Sequence, residues 1–457
     1  MNNLFEYQNK ESFPNSFEGL ESFLDDIWRN REKSCFYNAE KSSNIEAQRF
    51  LQFLHKTKEI KSNKYVGVIH FEGEKINLLP KIFYKADRTY SENDVNAINE
   101  HILWWLSYCR KISFPNYETS LGGLKSDFFE VLIYLFAKFT RELLSDSLYQ
   151  QYEEIDDDLS FIKGRINTRE YINENISKGR WHKISCSYDA FVFDNKFNRI
   201  VKYVANMLFT VSSNFENKKY LREILFLLDD VSDVKVCAED CLNIDFNPMY
   251  KKFTCVKDYC YLFLSNSVSF DYKNDLKLFA FLLPMEYVFE DFIYGFIDKE
   301  LKDVKAKAQD KSKFLDQDCN FSLRPDLVLE MKDRSVIADT KYKLVYSDEN
   351  DPKNGISQSD LYQMLAYAIR FKIDEIYLLY PNTIYDLSNE NSKIVAVDEF
   401  ADDKNINIMA CQLPIINMDA FNDKYFTVDS LRYESLSSKF DDTRIALKGR
   451  LEEVLLC

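Results

Sequence analysis

Two short apolar runs rich in β-branched residues dominate what this chain can fold into: Phe321-Ser-Leu-Arg-Pro-Asp-Leu-Val-Leu-Glu330 and Ser335-Val-Ile-Ala-Asp-Thr-Lys-Tyr-Lys343. Both read as strands, and the polar stretch Met331-Lys-Asp-Arg334 between them reads as a turn. In an antiparallel hairpin the numbers of paired residues keep a constant sum. A turn centred between Lys332 and Asp333 pairs Glu330 with Ser335, Val328 with Ile337, and Asp326 with Asp339. Directly opposite Cβ atoms lie roughly 4.5–5.5 Å apart, so the two aspartates meet. Lys341 stands two residues beyond Asp339 and projects from the same face. A slip of one residue would scatter all three.

Two carboxylates and an ammonium in an apolar setting suit a hard divalent cation, since Mg²⁺ takes carboxylate oxygens and water. Such an ion activates water and stabilises charge on a phosphate. Asp326 and Asp339 are the expected ligands, with the Thr340 carbonyl as a further one, and Lys341 is the expected water-positioning cation. By itself Pro-Asp followed by Asp-x-Lys is a cheap pattern that an ordinary amphipathic hairpin also carries. Its flanks strengthen it. Leu278 to Ile297 reads as a helix with a broad apolar stripe, in which Glu290 offers a third carboxylate and Asp291 competes with it. Ser359-Asp360 caps an expected helix running to Phe371. On it Gln363 and Tyr367 share a face, placed to touch a DNA backbone or to brace the lysine. Glu375 to Tyr380 reads as the next strand. The order helix, strand, strand, helix, strand is that of a PD-(D/E)xK nuclease core.

Taken together, these segments resemble the McrC family, the nuclease subunits of McrBC-type modification-dependent restriction systems. The resemblance rests on Tyr65-Val-Gly-Val-Ile69 with Ile76-Asn-Leu-Leu-Pro-Lys-Ile82, Leu143-Leu144 with Leu148-Tyr-Gln-Gln-Tyr152, and Phe161-Ile-Lys-Gly-Arg-Ile166. It continues through Cys186-Ser-Tyr-Asp189, Asp194-Asn195, Asn198-Arg199, Val288-Phe-Glu290, Arg324-Pro-Asp326, Asp339-Thr-Lys341 and Asp360-Leu-Tyr-Gln363. The similar stretch runs from about residue 60 to 380.

The resemblance implies a Mg²⁺-dependent endonuclease acting on double-stranded DNA. It implies a separate McrB-like AAA+ GTPase or ATPase partner whose hydrolysis the chain stimulates, with the N-terminal region reaching into the partner's ring. Cutting both strands then calls for paired nuclease domains. The chain has no Gly-x-x-x-x-Gly-Lys-Ser/Thr loop and so is not itself the motor. Two other readings fit the same residues: an autonomous RecB-like nuclease, and a non-catalytic adaptor that only activates an AAA+ motor.

The fold expected is mixed α+β. A partner-binding strand-containing and helical region spans 1–124, a largely helical middle 125–270, and a PD-(D/E)xK restriction-endonuclease-like α/β domain 271–457. A length of 457 residues suits two or three domains, and 37 Phe and 29 Tyr against 10 Gly and 9 Pro argue for ordered structure. No long uncharged apolar run and no basic-then-apolar leader is visible, so a cytoplasmic protein without a membrane span is expected. The net charge of −15 argues against strong intrinsic DNA affinity and for delivery by a partner. The lysine-rich stretch Lys299 to Lys313 is the local exception, either phosphate contact or a solvated face.

The ten cysteines are expected as reduced thiols. Cys237, Cys241, Cys255 and Cys260 have the spacing of a metal site, but their aromatic surroundings favour plain burial. The acids Asp156-Asp157-Asp158 read as a solvated turn, and the four histidines are scattered.

Overall fold

The computed structural model describes residues 2–13, 17–30, 50–71, 74–109, 128–271, 277–310, 312–316, 318–332, 334–346, 351–384, 392–398, 406–421 and 436–456. They fall into two compact units, one made of 1–132 with 265–457 and the other of 133–264. The segments expected as separate N-terminal and nuclease domains thus belong to one unit.

The reason lies in a strand. Leu278 to Ile297, expected as one helix, is a strand over Lys277–Pro284 followed by a helix over Met285–Glu300. A continuous apolar run suits either element by periodicity. Pro284 decides: it disfavours helix at the residue before it, and it serves as the N-cap of the helix that follows. The strand pairs antiparallel with Tyr65–Phe71, placing Leu282 opposite Gly67. It completes a five-stranded sheet in the order Asn2–Phe5, Glu74–Leu79, Tyr65–Phe71, Lys277–Pro284, Ser267–Asp271. Tyr65–Phe71 and Glu74–Leu79 pair antiparallel within this sheet. Leu4, Ile69, Ile76 and Leu78 from the sheet and Phe17 and Leu20 from the helix Phe17–Asn30 form its core.

The second sheet of this unit has six strands, in the order Lys305–Ala308, Leu327–Glu330, Ser335–Thr340, Glu375–Pro381, Ile406–Leu413, Ser392–Asp398. Strands Ser335–Thr340 and Glu375–Pro381 are parallel, and the helix Gln358–Phe371 connects them. Met364, Tyr367 and Ala368 of that helix pack on Ile337, Ile376, Leu378 and Ile408 of the sheet. Part of the basic stretch expected over 299–313 is therefore an edge strand. Lys307 pairs with Glu330 there, and Lys299 donates to the Ser107 carbonyl.

The helix Glu92–Tyr108, begun by a Ser91–Asp94 capping box, lies along Met285–Glu300. Trp104 and Phe292 meet edge-on with centroids 5.2 Å apart. His101 is fully buried, its Nδ1 2.6 Å from the Ala97 carbonyl and its Nε2 accepting the Asn417 N–H at 2.8 Å. Burial pushes its pKa down to about 3, so the ring is neutral. The C-terminal helix Asp441–Leu456 buries Leu447, Leu451 and Leu455.

The other unit carries the helices Lys196–Val211, Phe215–Leu227 and Phe253–Asn266. It also holds a three-stranded sheet ordered Gln151–Leu159, Ile184–Val192, Arg165–Ile166. Helices dominate the sequence reading of this region, and the sheet departs from it. Asp156-Asp157-Asp158 is not a turn but part of the first strand. Asp158 accepts from Ser185 Oγ at 2.6 Å and Asn175 Nδ2 at 2.7 Å, while Asp156 accepts from Asn167 and Ser187. Hydroxyl and amide donors on the facing elements hold Asp156 and Asp158, while Asp156 and Asp157 stay exposed as expected. Asn195 caps Lys196–Val211, and Asn198 donates to the Tyr149 carbonyl at 2.9 Å. Arg165 lies 3.7 Å from Glu154, a surface pair. Cys241, Cys255 and Cys260 are buried and Cys237 is half-buried, and among the described residues these cysteines belong to no group of three or more metal-ligating side chains arranged to hold an ion.

A glycine tests the helix pairing. A Cβ on Gly295 would stand 1.9 Å from the Tyr108 carbonyl oxygen. Gly295→Ala is expected to cost about 1–3 kcal/mol by overpacking, read as a lower midpoint in urea unfolding followed by Trp fluorescence; an unchanged midpoint would refute the close packing.

Candidate active site

The hairpin forms in the expected register. Leu327 faces Ala338, Val328 faces Ile337, Leu329 faces Val336 and Glu330 faces Ser335. Regular pairing stops at Leu327 because Pro325 interrupts the first run, leaving only Ser322–Leu323 of its earlier part in a separate small ladder. Asp326 sits at the mouth of the hairpin. Its carbonyl accepts the N–H of Gln309, a residue in left-handed backbone at φ 47°.

Asp326 Oδ2 accepts two hydrogen bonds from Thr340, from its N–H and its Oγ1, both at 2.8 Å. The Thr340 N–H and hydroxyl thus hold the first carboxylate. Asp339 is 1% exposed. Lys341 Nζ lies 2.6 Å from its Oδ2 as an ion pair, yet neither Asp339 oxygen accepts a well-aligned hydrogen bond from a described residue. Lys341 Nζ also donates to Gln363 Oε1 at 3.2 Å. Gln363 Nε2 donates to the Tyr367 hydroxyl at 2.7 Å, which donates to the Arg324 carbonyl at 2.8 Å. Gln363 and Tyr367 therefore brace the lysine and tie the helix to the Arg324-Pro325-Asp326 segment. Of the two uses the sequence left open, bracing is the one these contacts show.

Glu290 accepts from Gln309 Nε2 at 2.9 Å. It stands near enough to Asp326 for its charge to act there, whereas Asp291 is buried in the helix packing. Glu290 does not close a three-carboxylate centre with Asp326 and Asp339. Among the described residues no group of three or more His, Cys, Asp or Glu is arranged to hold an ion. A metal here would rest on Asp326 and Asp339, with its other positions left to water and substrate, a common arrangement for Mg²⁺.

Beside the site, Asp360 is buried and pairs with Lys343 Nζ at 2.6 Å. Ser357, not Ser359-Asp360, is the N-cap of that helix. The signal for Asp360 was its spacing, three residues before Gln363 and so on the same helical face.

Burial raises the Asp339 carboxyl from 3.8 to about 7, reinforced by the charge of Asp326 and opposed by Lys341. Burial and then the charge of Glu290 raise Asp326 to about 6, against the Thr340 bonds. Burial is the largest single influence on Lys341 and would lower it, but the charge and hydrogen bond of Asp339 together with the charges of Asp326 and Asp360 outweigh it and hold the ammonium above its ordinary value. Two desolvated acids that resist ionisation beside a fixed cation are what a ligand of opposite charge would relieve.

The family model described as McrBC 5-methylcytosine restriction system component matches residues 60–381. A chain of the refined half-complex from a tetradecameric assembly of Thermococcus gammatolerans McrB AAA+ hexamers with bound McrC is 17% identical, with a TM-score of 0.61 over 98% of this chain and 99% of that one. A chain of the T. gammatolerans McrBC complex, seen by cryo-electron microscopy, is 18% identical over 66% of this chain and 88% of that one, with a TM-score of 0.47. No curated protein matches. The first likeness shows a shared fold along the whole chain.

The raised carboxyls predict a pH dependence. Between about pH 4 and 7 the folded pair binds more protons than the unfolded chain, so its contribution to stability falls as pH rises through that window. In EDTA, Asp339→Asn should flatten the fall in melting temperature between pH 5 and 8 and melt above the parent at pH 8. Parallel curves for the two proteins would contradict the shifts.

Proposed function

The chain belongs to the McrBC 5-methylcytosine restriction system component family, and from that premise we propose that it is the Mg²⁺-dependent DNA endonuclease of its complex, built on a PD-(D/E)xK core. The observation that carries this reading is the convergence of Asp326, Asp339 and Lys341 at one end of a single hairpin, two of them against their own desolvation.

Asp326 and Asp339 would hold the ion, which supplies an activated water and charge neutralisation at the scissile phosphate. The unsatisfied oxygens of buried Asp339 are the vacant acceptors such an ion suits. Thr340 orients Asp326 through its two donors. Lys341 would release Asp339 to the ion and turn its ammonium toward the attacking water and the phosphate. Gln363 keeps that ammonium in place, and Tyr367 anchors Gln363 to the Arg324 carbonyl. Water attack would then leave a 5′-phosphate. Cutting both strands of double-stranded DNA takes two such sites, so nuclease units act in pairs.

The substrate would be delivered by an AAA+ GTPase or ATPase partner of the McrB kind, whose hydrolysis this chain stimulates. Residues 1–124 are the region expected to bind that partner, and the described ones among them supply the sheet and helices given above. The 133–264 unit offers exposed apolar surface: Trp181 is 73% and Phe161 60% exposed, and the rings of Tyr152 and Phe191 meet at a tilt on its sheet, centroids 4.9 Å apart, while half or more exposed. Exposed apolar surface of this kind marks a protein contact. Among the described residues no helix is long and apolar enough to cross a membrane.

Two outcomes separate the alternatives. Cutting by the isolated chain with Mg²⁺ alone would favour an autonomous nuclease, and partner hydrolysis stimulated without any cutting would favour an adaptor. In the reconstituted complex on plasmid DNA, Asp339→Ala and Lys341→Ala should each lower cleavage more than about 100-fold, and Gln363→Ala about 10–100-fold, with partner NTP hydrolysis still stimulated. Persistent cutting by Asp339→Ala would end the assignment. Mg²⁺ added at pH 8 should raise the melting temperature of the parent chain and leave that of Asp339→Asn unmoved.

A further inference from the structure

A second buried ionic cluster lies behind the residue next to Lys341, and the chemistry above makes no use of it. Glu6, just past the first strand, is 1% exposed. Its N–H bonds the Leu79 carbonyl at 3.0 Å, and its Oε2 accepts the backbone N–H of Lys81 at 3.2 Å. Lys81 Nζ sits 4.5 Å from the centroid of the Tyr342 ring and 5.9 Å from that of Tyr7. Tyr342 is buried, its hydroxyl beside the Glu6 carboxylate without closing a well-formed hydrogen bond to it. Phe289, the neighbour of Glu290, closes the far side with its ring centroid 6.0 Å from that of Tyr342. Glu286, one turn before Glu290 on the same helix, adds its charge to Glu6 and Lys81.

The backbone around Lys341 explains what such a cluster can do. The regular strand ends at Thr340. Beyond it, the Lys341 N–H bonds the Leu379 carbonyl at 2.9 Å and the Lys343 N–H bonds the Lys341 carbonyl at 2.8 Å. That last bond closes a three-residue turn centred on Tyr342. Lys341 reaches Asp339 and Gln363 in the site while Tyr342 reaches Lys81 and Phe289 in the cluster, and holding one aims the other. An apolar pocket would bury Tyr342 equally well. A cation over its ring face and a carboxylate at its hydroxyl add direction, which is the established use of buried charge where it contributes little net stability.

We propose that Glu6 and Lys81 are positioning residues that aim Lys341 by clamping Tyr342, so that the first strand of the chain is part of the nuclease machinery. The proposal rests on the nuclease reading for its consequence, but the mechanical link can be measured without cleavage.

Hydrogen–deuterium exchange on the full-length chain reads the link directly. Glu6→Gln and Lys81→Met should speed exchange of the Lys341 and Lys343 amides about 10-fold while those of Val336 to Ala338 keep the parent rate. In the complex reconstituted with its AAA+ partner, both variants should lower turnover at saturating DNA about 10-fold, since a small misplacement of a catalytic group is costly. The half-saturating DNA concentration and partner hydrolysis should stay unchanged, and Lys81→Arg should recover most of the loss. Should Glu6→Gln melt early, Lys81→Met carries the test alone. Parent-like exchange at Lys341 and Lys343 would overturn the proposal, as would a loss expressed only in the half-saturating concentration. Faster exchange together with a parent complex that makes no cuts would uphold the link and remove the nuclease reading instead.

Discussion

One hairpin register underlies the rest of the structure. With Leu327 opposite Ala338 and Glu330 opposite Ser335, Asp339 is carried inward beside Asp326, and Lys341 reaches back 2.6 Å from the acid two residues before it. A slip of one residue sends Asp326 and the Asp339–Lys341 pair to opposite faces of the sheet. The arrangement is unfavourable in isolation, because two carboxylates are taken from water together. Thr340, Lys341 and the Gln363–Tyr367 brace compensate only part of that cost, which is why both acids hold their protons so tightly. A site with this imbalance is poised for a cation.

The surrounding fold serves the same register from two sides. The helix Gln358–Phe371 packs Met364 and Tyr367 against the sheet that contains the hairpin and presents Gln363 to the lysine from above. The helix Met285–Glu300 brings Glu290 to the edge of the site while its other face packs on Glu92–Tyr108. Through the strand Lys277–Pro284 the N-terminal sheet is joined to that helix without a linker. The six-stranded sheet and the N-terminal sheet thus belong to one compact unit, in which Glu6 lies beside Tyr342, the neighbour of Lys341.

Much of the site was legible in the sequence, for a definite reason. The constant-sum rule turns a hairpin with a short polar turn into a set of residue pairs, so meeting of Asp326 and Asp339 could be counted off. Helix periodicity likewise put Gln363 and Tyr367 on one face. Where a local pattern had two solutions, the sequence could not choose. The apolar stretch at 278–283 suits helix and strand alike, and Pro284 was the overlooked signal. Asp156-Asp157-Asp158 looked like a turn because the partners that hold Asp156 and Asp158 in a strand, Ser187, Asn167, Ser185 and Asn175, lie on other elements. The joining of residues 1–132 to 265–457 depends on long-range strand pairing that no local pattern encodes. The Asp360–Lys343 pair and the hold of Thr340 on Asp326 are side-chain contacts of the same non-local kind.

Whether Asp326 and Asp339 form one divalent-ion site beside Lys341 can be read from crystals grown with Mn²⁺ in place of Mg²⁺ and measured at the manganese absorption edge. A shared site gives a single strong anomalous peak within coordination distance of both carboxylates, with the Lys341 ammonium swung off Asp339. A map with no peak between the two aspartates at saturating Mn²⁺, or one whose peak lies at other residues, would contradict it.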